Sequence, residues 1–132
     1  MSGKVTGLAH IGIMTSDMDK SVEFYTEVLG FSLDHRTSLR DGAVELGFLK
    51  VGNCIVELVK SGDGSAAKER SAGIVDHIAL AVEDVDSLAS SLTAKGIRFE
   101  TDEPMDLDLM GGSRAIFFHG PNGERLEFFE IL

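Results

Sequence analysis

The chain of 132 residues is 43% hydrophobic and carries 12 Lys and Arg against 22 Asp and Glu, which gives a net charge of −10. Its length and apolar content predict a single globular domain with one core and exclude intrinsic disorder. The acidic balance argues against nucleic acid and anionic membrane as partners, because both select a basic face, and no apolar run approaches the roughly 18 residues of a spanning helix.

The first half of the chain predicts one strand, one helix and three further strands. Ala9–Met14 is a short apolar run typical of a buried strand, and Asp19–Leu29 places its apolar residues at helical spacing. Asp17 or Asp19 is the predicted N-cap, and Gly30 stands where a helix needs a left-handed terminator. The strand candidates that follow are Phe31–Ser38, Ala43–Val51 and Cys54–Lys60.

The second half repeats this pattern. Residues 77–99 align with residues 10–31, since both stretches open on His-Ile, reach Asp-x-Asp seven residues later and run through a helical stretch to a Gly. The predicted elements of the second half are a strand at His77–Val82, a helix at Asp86–Lys95 that ends at Gly96, and strands at Ile97–Thr101, Arg114–Phe118 and Arg125–Ile131.

The repeat sets the predicted domain organisation. One domain, residues 1–132, consists of two repeats, 7–60 and 74–132, joined by the polar linker 61–73. The unit of strand, helix and three strands is thus used twice. Pro104–Gly112, with the sequence PMDLDLMGG, is the other irregular stretch and a candidate lid.

Two His and two Glu interrupt the apolar strands at matching places of the two repeats: His10, Glu57, His77 and Glu127. A strand that faces a core does not carry such side chains without compensation, and alternation places each His on the face opposite the large aliphatic residues. If they converge on one point, two imidazoles and two carboxylates suit Zn²⁺, Ni²⁺ or Co²⁺ and do not suit Ca²⁺ or an iron–sulfur cluster. We therefore predict that the four residues ligate one divalent cation per site.

A fifth polar residue in a strand depends on the register of a hairpin. If Gly52-Asn53 closes a two-residue turn, Glu45 lies opposite Lys60 on the face away from Glu57. A single bulge would reverse this parity and bring Glu45 toward the site.

The remaining histidines and the single cysteine are predicted to lie outside the site. His35 follows an Asp in a polar stretch, and His119 precedes the turn GPNG, which places it on the face opposite Glu127 if Gly120–Gly123 is the loop. Cys54 has no partner for an internal disulfide, and the N-terminus has no apolar signal segment, so we expect a cytoplasmic protein.

The motifs HIGI, EFYTEVLGF, IVELV, DHIALAVEDVD and FFHGPNGERLEFFE resemble the vicinal oxygen chelate superfamily, and most of all bacterial glyoxalase I (lactoylglutathione lyase). The resemblance runs from about Gly7 to Leu132. It implies an α+β fold of two tandem βαβββ modules, whose curved mixed sheets form a metal cleft as in glyoxalases and bleomycin-resistance proteins. The family's four ligands fall on the two His and two Glu already selected, and a homodimer is expected.

The resemblance also implies an activity, that of a metal-dependent lyase in methylglyoxal detoxification. Such an enzyme takes the hemithioacetal of methylglyoxal and a thiol, moves a proton between adjacent carbons through an enediolate, and yields the 2-hydroxyacyl thioester. The metal acts as a Lewis acid. The catalytic base is Glu127, or Glu57 if it can release the metal.

Three positions depart from the familiar glyoxalases. Met14, Ser61 and Gly73 stand where those enzymes carry Arg, Asn and Arg, side chains that hold the carboxylates of glutathione. The sequence therefore leaves the thiol open. The side chains that could replace the missing ones are Arg36, Arg98, Arg114 and Lys60.

Two other functions stay open. A methylmalonyl-CoA epimerase-like enzyme also moves a proton next to a carbonyl, and by resemblance its catalytic Glu matches Glu45 within GAVELGF. The GPNGERLEF ending is nevertheless typical of glyoxalases, and the epimerase ligand that matches Glu57 is often Gln. A metal-free small-molecule binding module of the resistance type is the second alternative, which stoichiometric metal would exclude.

Overall fold

The computed structural model describes residues 3, 4, 6, 8–70, 73 and 75–132. The chain forms two compact units, unit 1 from Met1 to Arg70 and unit 2 from Ser71 to Leu132, and the division falls within the predicted linker. The predicted first residues of the two repeats, 7 and 74, and the linker residues 71 and 72 lie outside the described residues.

Unit 1 contains a strand, a helix and three strands in the predicted order, followed by a short second helix. Its elements are β1 (Ile11–Met14), α1 (Met18–Glu23), β2 (Ser32–Leu39), β3 (Val44–Val51), β4 (Cys54–Ser61) and α2 (Ser65–Glu69). The order across the sheet is β1-β4-β3-β2, with β1 parallel to β4 and the other pairs antiparallel. The turn at Gly52-Asn53 has the predicted register, with Val51 opposite Cys54.

Unit 2 builds the same kind of sheet. Its elements are β5 (Ile78–Ala81), α3 (Val85–Ala94), β6 (Met105–Leu107), β7 (Ser113–His119) and β8 (Arg125–Ile131). The order across the sheet is β5-β8-β7-β6, and β5 is parallel to β8. The predicted α+β class, with two βαβββ modules and mixed sheets, is confirmed.

The first helix begins as predicted and changes its geometry before it ends. Asp17, extended at φ −145°, accepts a hydrogen bond from a backbone N–H of the first turn, which needs an acceptor there. After α1 the chain widens into a π-helical turn, Phe24–Val28, in which Tyr25 is buried. The predicted helix Asp19–Leu29 is therefore an α-helical and a π-helical piece. Gly30, at φ 78°, ends it as predicted.

Each sheet buries one face under its helix. In unit 1 the strand residues Leu49, Val56 and Leu58 are buried on the face that α1 covers. Gly47 lies on the same face, and an added Cβ there would come within 3.0 Å of Met18 Sδ, so the glycine lets the helix approach the sheet. The corresponding core residues of unit 2 are Ile116, Phe118, Leu126 and Phe128. Alternation along the strands directs the residues between them to the opposite face of each sheet.

The helix of unit 2 starts from a left-handed residue. Asp84 has φ 53° and accepts a hydrogen bond from the backbone N–H of Ser87. The carboxylate of Glu130, on β8, accepts hydrogen bonds of 3.0 Å from the N–H groups of Asp84 and Val85. A negative charge at a helix N-terminus is favourable, so Glu130 stabilises both α3 and the strained residue before it. None of the helices in the described part of the chain is long and apolar enough to cross a membrane.

Two predictions between the main elements are wrong. Ile97–Thr101 makes only an isolated bridge, from Phe99 to Phe118, because Phe99 packs its ring into the core instead of continuing a strand. The strand that follows α3 is β6, which lies inside the stretch predicted to be an irregular lid. The predicted linker also contains a short helix, α2, which the sequence pattern did not indicate.

We expect Gly64→Ala to destabilise the protein more than Gly62→Ala. Both glycines have positive φ, 86° and 57°, a conformation that costs a residue with a Cβ about 1–2 kcal/mol. At Gly64 the added Cβ would also clash with the backbone oxygen of Ser16, whereas at Gly62 it meets nothing within 4 Å. The clash should add about 1–3 kcal/mol. Chemical denaturation measures both variants, and equal losses in the free energy of unfolding would contradict this packing.

Candidate metal centre

The His–Glu pair of unit 1 lies on the face of the sheet opposite α1. Gly12 is opposite Glu57 in the parallel pairing of β1 and β4, so His10, two residues earlier, shares the Glu57 face. Nε2 of His10 is 3.6 Å from Oε1 of Glu57, and the two side chains are 43% and 19% exposed. Gly12 has no side chain to fill the space beside this carboxylate, and an added Cβ there would lie 3.8 Å from Oε1 of Glu57.

The His–Glu pair of unit 2 is closer and more buried. Ala79 is opposite Glu127 in the pairing of β5 and β8, which places His77 on the Glu127 face. Nε2 of His77 is 3.2 Å from Oε1 of Glu127, and the side chain of Glu127 is 8% exposed.

The distances in both pairs suit two ligands of one cation. With metal–ligand bonds of about 2.1 Å, two ligand atoms lie about 3.0 Å apart at a right angle and about 3.4 Å apart at a tetrahedral angle. The observed N···O distances of 3.6 and 3.2 Å are close to these values. Over the described ranges, no three His, Cys, Asp or Glu residues form a group that could hold a metal ion. The structure therefore brings the four predicted ligands together as two pairs, one in each unit.

A series of charged groups anchors His77. Its Nδ1 is 2.8 Å from Oδ2 of Asp76, and the same oxygen accepts a hydrogen bond of 2.9 Å from Arg125. Arg125 donates two further hydrogen bonds of 2.9 Å to Glu100, and its guanidinium lies 4.0 Å from the ring centroid of Phe117. We refer to Asp76, Arg125 and Glu100 as the Asp76 network.

The members of the Asp76 network stabilise one another as ions. Hydrogen bonds from His77 and then from Arg125 hold the pKa of Asp76 below its ordinary value. The Arg125 guanidinium likewise lowers the pKa of Glu100, and the Glu100 carboxylate raises the pKa of Arg125. All three groups therefore stay charged at neutral pH.

Glu45 lies on the helix face of its sheet, away from Glu57. It is opposite Lys60, as predicted, and the register of β3 and β4 runs without a bulge. Its carboxylate is 2.6 Å from Arg36, which also binds Asp19 of α1. The sheet therefore stands between Glu45 and the carboxylate of Glu57.

Two of the arginines that could replace the missing glutathione contacts form salt bridges on the sheet faces that the helices cover. Arg36 is held by the two carboxylates just described, and Arg114 binds Asp86 of α3 and Asp106 of β6. These two carboxylates raise the pKa of Arg114, Asp86 more strongly. Neither guanidinium lies on the face that carries a His–Glu pair.

A different arginine reaches the site face of unit 1. Nη1 of Arg70 is 3.1 Å from Sδ of Met14, which shares the face of His10 on β1. Arg70 is exposed and forms no salt bridge within the described residues. The positively charged guanidinium of Arg70 therefore lies beside Met14, a position at which the sequence alone shows only an uncharged thioether.

Both histidines predicted to lie outside the site are exposed, and one of them lies on a different face from the one predicted. His119 is opposite Arg125 in the hairpin, so it lies on the Glu127 face and its predicted position on the opposite face is wrong. The loop is one residue longer than GPNG, which shifts the register. His35 is exposed as predicted, but a register shift before it turns its ring onto Phe48, stacked at 4.6 Å.

Sequence reasoning missed the Asp76 network. One signal was present, since Asp76 precedes His77 in DHIAL whereas Ala9 precedes His10 in the first repeat. No pattern marks Arg125 and Glu100, because they are 25 residues apart and meet through tertiary structure.

Residues 7–128 match the sequence profile of the Glyoxalase/Bleomycin resistance protein/Dioxygenase superfamily. The match spans nearly the whole chain and includes all four residues of the two His–Glu pairs.

The curated relatives of this chain carry different names. "Uncharacterized protein YwbC" of Bacillus subtilis is 32% identical over 121 residues, 92% of this chain and 94% of its own length. A "Probable lactoylglutathione lyase" of Synechocystis is 30% identical over 127 residues, 93% of this chain and 94% of its own length. The mitochondrial methylmalonyl-CoA epimerase of Mus musculus is 28% identical over 105 residues, 76% of this chain and 59% of its own length.

The fold is also found among solved structures. The crystal structure of SMU.1112c is 30% identical and superposes with a TM-score of 0.79, over 96% of this chain and 100% of that one. Similarity in sequence and in fold therefore extends along almost the full chain.

We expect the ion pair of Glu100 to contribute stability that is lost in acid. Because the folded pKa of Glu100 lies below its ordinary value of 4.5, this contribution is present above about pH 4.5 and disappears as the pH falls through the lower folded value. Glu100→Gln should therefore lower the free energy of unfolding at pH 7, by less than about 1 kcal/mol for an exposed pair, and should lower it by less at pH 3. Urea denaturation at both values measures this. Glu103→Gln, an exposed carboxylate outside the network, is the control, and equal pH profiles for the two variants would refute the assignment.

Proposed function

Because the chain belongs to the Glyoxalase/Bleomycin resistance protein/Dioxygenase superfamily, we propose that it is a metal-dependent lyase of the glyoxalase I type. The reaction converts the hemithioacetal of methylglyoxal and a thiol into the 2-hydroxyacyl thioester. The observation that carries the proposal is the repeated His–Glu pair, with a ligand-to-ligand distance in each unit. The Synechocystis relative, which matches 93% of this chain, supports the choice of lyase.

We assign four ligands to one divalent cation, Ni²⁺, Zn²⁺ or Co²⁺: His10, Glu57, His77 and Glu127. When bound, the cation supplies a Lewis acid for the two vicinal oxygens of the substrate. Each unit contributes two donors, so the expected stoichiometry is one metal per chain and not two. This count is the same whether the two pairs come from one chain or from the two chains of the homodimer that we expect.

The carboxylates of the pairs also supply the base. Glu127 or Glu57 takes the proton from one carbon of the hemithioacetal and returns it to the adjacent carbon, with the enediolate between the two steps. The lower exposure of Glu127, 8% against 19% for Glu57, leaves fewer waters to compete for its oxygens. The greater exposure and longer His contact of Glu57 leave it more room to move.

The epimerase alternative needs Glu45 at the site. Glu45 is on the helix face and its carboxylate is held by Arg36, so this residue is not available to a substrate on the Glu57 face. The similarity to the mouse epimerase is the reason to assay epimerase activity and lyase activity on the same protein.

Metal content distinguishes the metal-free binding module from the lyase. A binding module would retain a small molecule without metal, whereas the lyase requires the cation. We place the reaction in the cytoplasm, in agreement with the single cysteine at position 54.

The proposal is tested by metal content and activity on one preparation purified without an affinity tag. Elemental analysis should find about one metal per chain. Addition of Ni²⁺ or Zn²⁺ should then support conversion of methylglyoxal with glutathione or with an uncharged thiol, and removal by chelator should abolish it. Metal without lyase activity but with methylmalonyl-CoA epimerisation would establish the epimerase alternative. The absence of metal binding would refute the four-ligand site and leave the binding module.

We expect Glu127→Gln to fold normally and to lose turnover by about 10²–10⁴-fold, because the amide keeps the volume and cannot accept the proton. Glu45→Gln, on the opposite face of a sheet, should keep the turnover of the unaltered protein. Steady-state rates with saturating metal measure both variants, and amide spectra check the fold. If instead Glu45→Gln loses activity and Glu127→Gln keeps it, the lyase site is assigned to the wrong face.

A further inference from the structure

We propose that Asp76 is a positioning residue for His77, which it holds with Nε2 unprotonated and available to a cation, and that Arg125 and Glu100 keep Asp76 in place. The inference rests on the proposed function, because it takes His77 to be a metal ligand. Its consequence is that unit 2 carries the preorganised half of the donor set.

The hydrogen bond between Asp76 and His77 determines which ring nitrogen is free. An ionised carboxylate only accepts hydrogen bonds, so the proton in the 2.8 Å contact belongs to Nδ1 of His77. A neutral imidazole has a single N–H, and Nε2 therefore carries a lone pair. This Nε2 lies 3.2 Å from Oε1 of Glu127, but that contact has no hydrogen-bond geometry, whereas the contact of Nδ1 with Asp76 does.

Asp76 would move freely if His77 were its only contact, since its side chain is 70% exposed. Arg125 prevents this with a hydrogen bond of 2.9 Å to the same Oδ2. Arg125 is itself fixed by two hydrogen bonds to Glu100 and by its contact with the ring of Phe117. The ring of Phe117 also packs edge-on against the imidazole of His77, at 5.2 Å between centroids. The imidazole is thus restrained by a hydrogen bond and by an aromatic contact.

Unit 1 lacks the residues to build such a network. Ala9 stands before His10, and Ile55 stands two residues before Glu57, where unit 2 has Asp76 and Arg125 in the matching places. The His10 contact is longer, and its side chain is 43% exposed against 34% for His77. Ligands that are oriented before binding lose less freedom when the cation arrives, so we infer that the pair of unit 2 sets most of the affinity.

The test compares Asp76→Ala with Asp34→Ala. Asp34 contacts the Nδ1 of the next residue, His35, at 2.6 Å and pairs with Lys50, so it offers the same kind of Asp–His contact at a histidine outside the proposed ligand set. Both variants remove one exposed carboxylate from a protein of net charge −10. Their difference therefore reports the position of the contact and not the loss of charge.

The first measurement is the tautomer of His77 in the metal-free protein, read from long-range ¹⁵N–¹H correlation spectra at a pH where the imidazoles are neutral. The unaltered protein should show His77 with the proton on Nδ1. Asp76→Ala should shift it toward the Nε2–H form, and Asp34→Ala should leave it unchanged. An unchanged His77 tautomer in Asp76→Ala would overturn the proposal.

The second measurement is the dissociation constant for Co²⁺ or Zn²⁺, determined by titration. Asp76→Ala should weaken binding by about 10–100-fold, the usual effect of removing a group that orients a ligand, and Asp34→Ala should not. Equal affinities for the two variants would overturn the proposal. If Asp76→Ala loses its dispersed amide spectrum, Asp76→Asn and Arg125→Lys replace it, with a smaller shift expected in the same direction.

The two measurements separate this inference from the proposed function. If the unaltered protein binds no metal, the proposed function fails, while the tautomer spectra still decide whether Asp76 positions His77. If the protein binds metal with equal affinity in both variants, the metal site stands and the positioning role of Asp76 fails.

Discussion

The parallel pairing of the first and last strands of each unit is the constraint on which the rest of the structure depends. It sets Gly12 beside Glu57 and Ala79 beside Glu127, so that a His two residues earlier on the short strand reaches the carboxylate on its neighbour. A shift by one residue would turn the carboxylate into the core and an aliphatic side chain toward solvent. One register thus fixes both the burial of the helix faces and the His–Glu distances.

The two units share this strand pairing, but their His–Glu pairs differ in distance, exposure and surroundings. In unit 2 the pair is short, its Glu127 is buried, and charged groups surround His77. In unit 1 the pair is longer, more exposed, and flanked by glycine and alanine. The two copies of the same pairing therefore differ in how tightly the imidazole is held beside its carboxylate.

Much of the fold and both His–Glu pairs could be predicted from the sequence, but the Asp76 network could not. Apolar periodicity and two terminating glycines located β1, β3, β4, β8 and α3 to within a few residues, and the repeat selected both His–Glu pairs. Ile97–Thr101 is not a strand, because the half-buried ring of Phe99 packs on Phe118 and only imitates a strand pattern. The face of His119 differs from the predicted one because a single extra loop residue reverses it. Arg125 was out of reach, because its partners come from distant segments and only the fold brings them together.

The charged residues that face the helices differ in sign between the two halves of the chain. Glu45 and Arg114 occupy corresponding positions, because each lies opposite the residue that follows the Glu of its His–Glu pair by three places. Those opposite residues are Lys60 in unit 1 and Glu130 in unit 2, so both members of the cross-strand pair have the opposite charge in the other unit. The two halves therefore carry opposite charges at these positions, while in each of them an arginine binds an aspartate in the first turn of the helix. A symmetrised chain, designed by averaging the halves, would have to choose one polarity throughout, since mixing them would set like charges side by side.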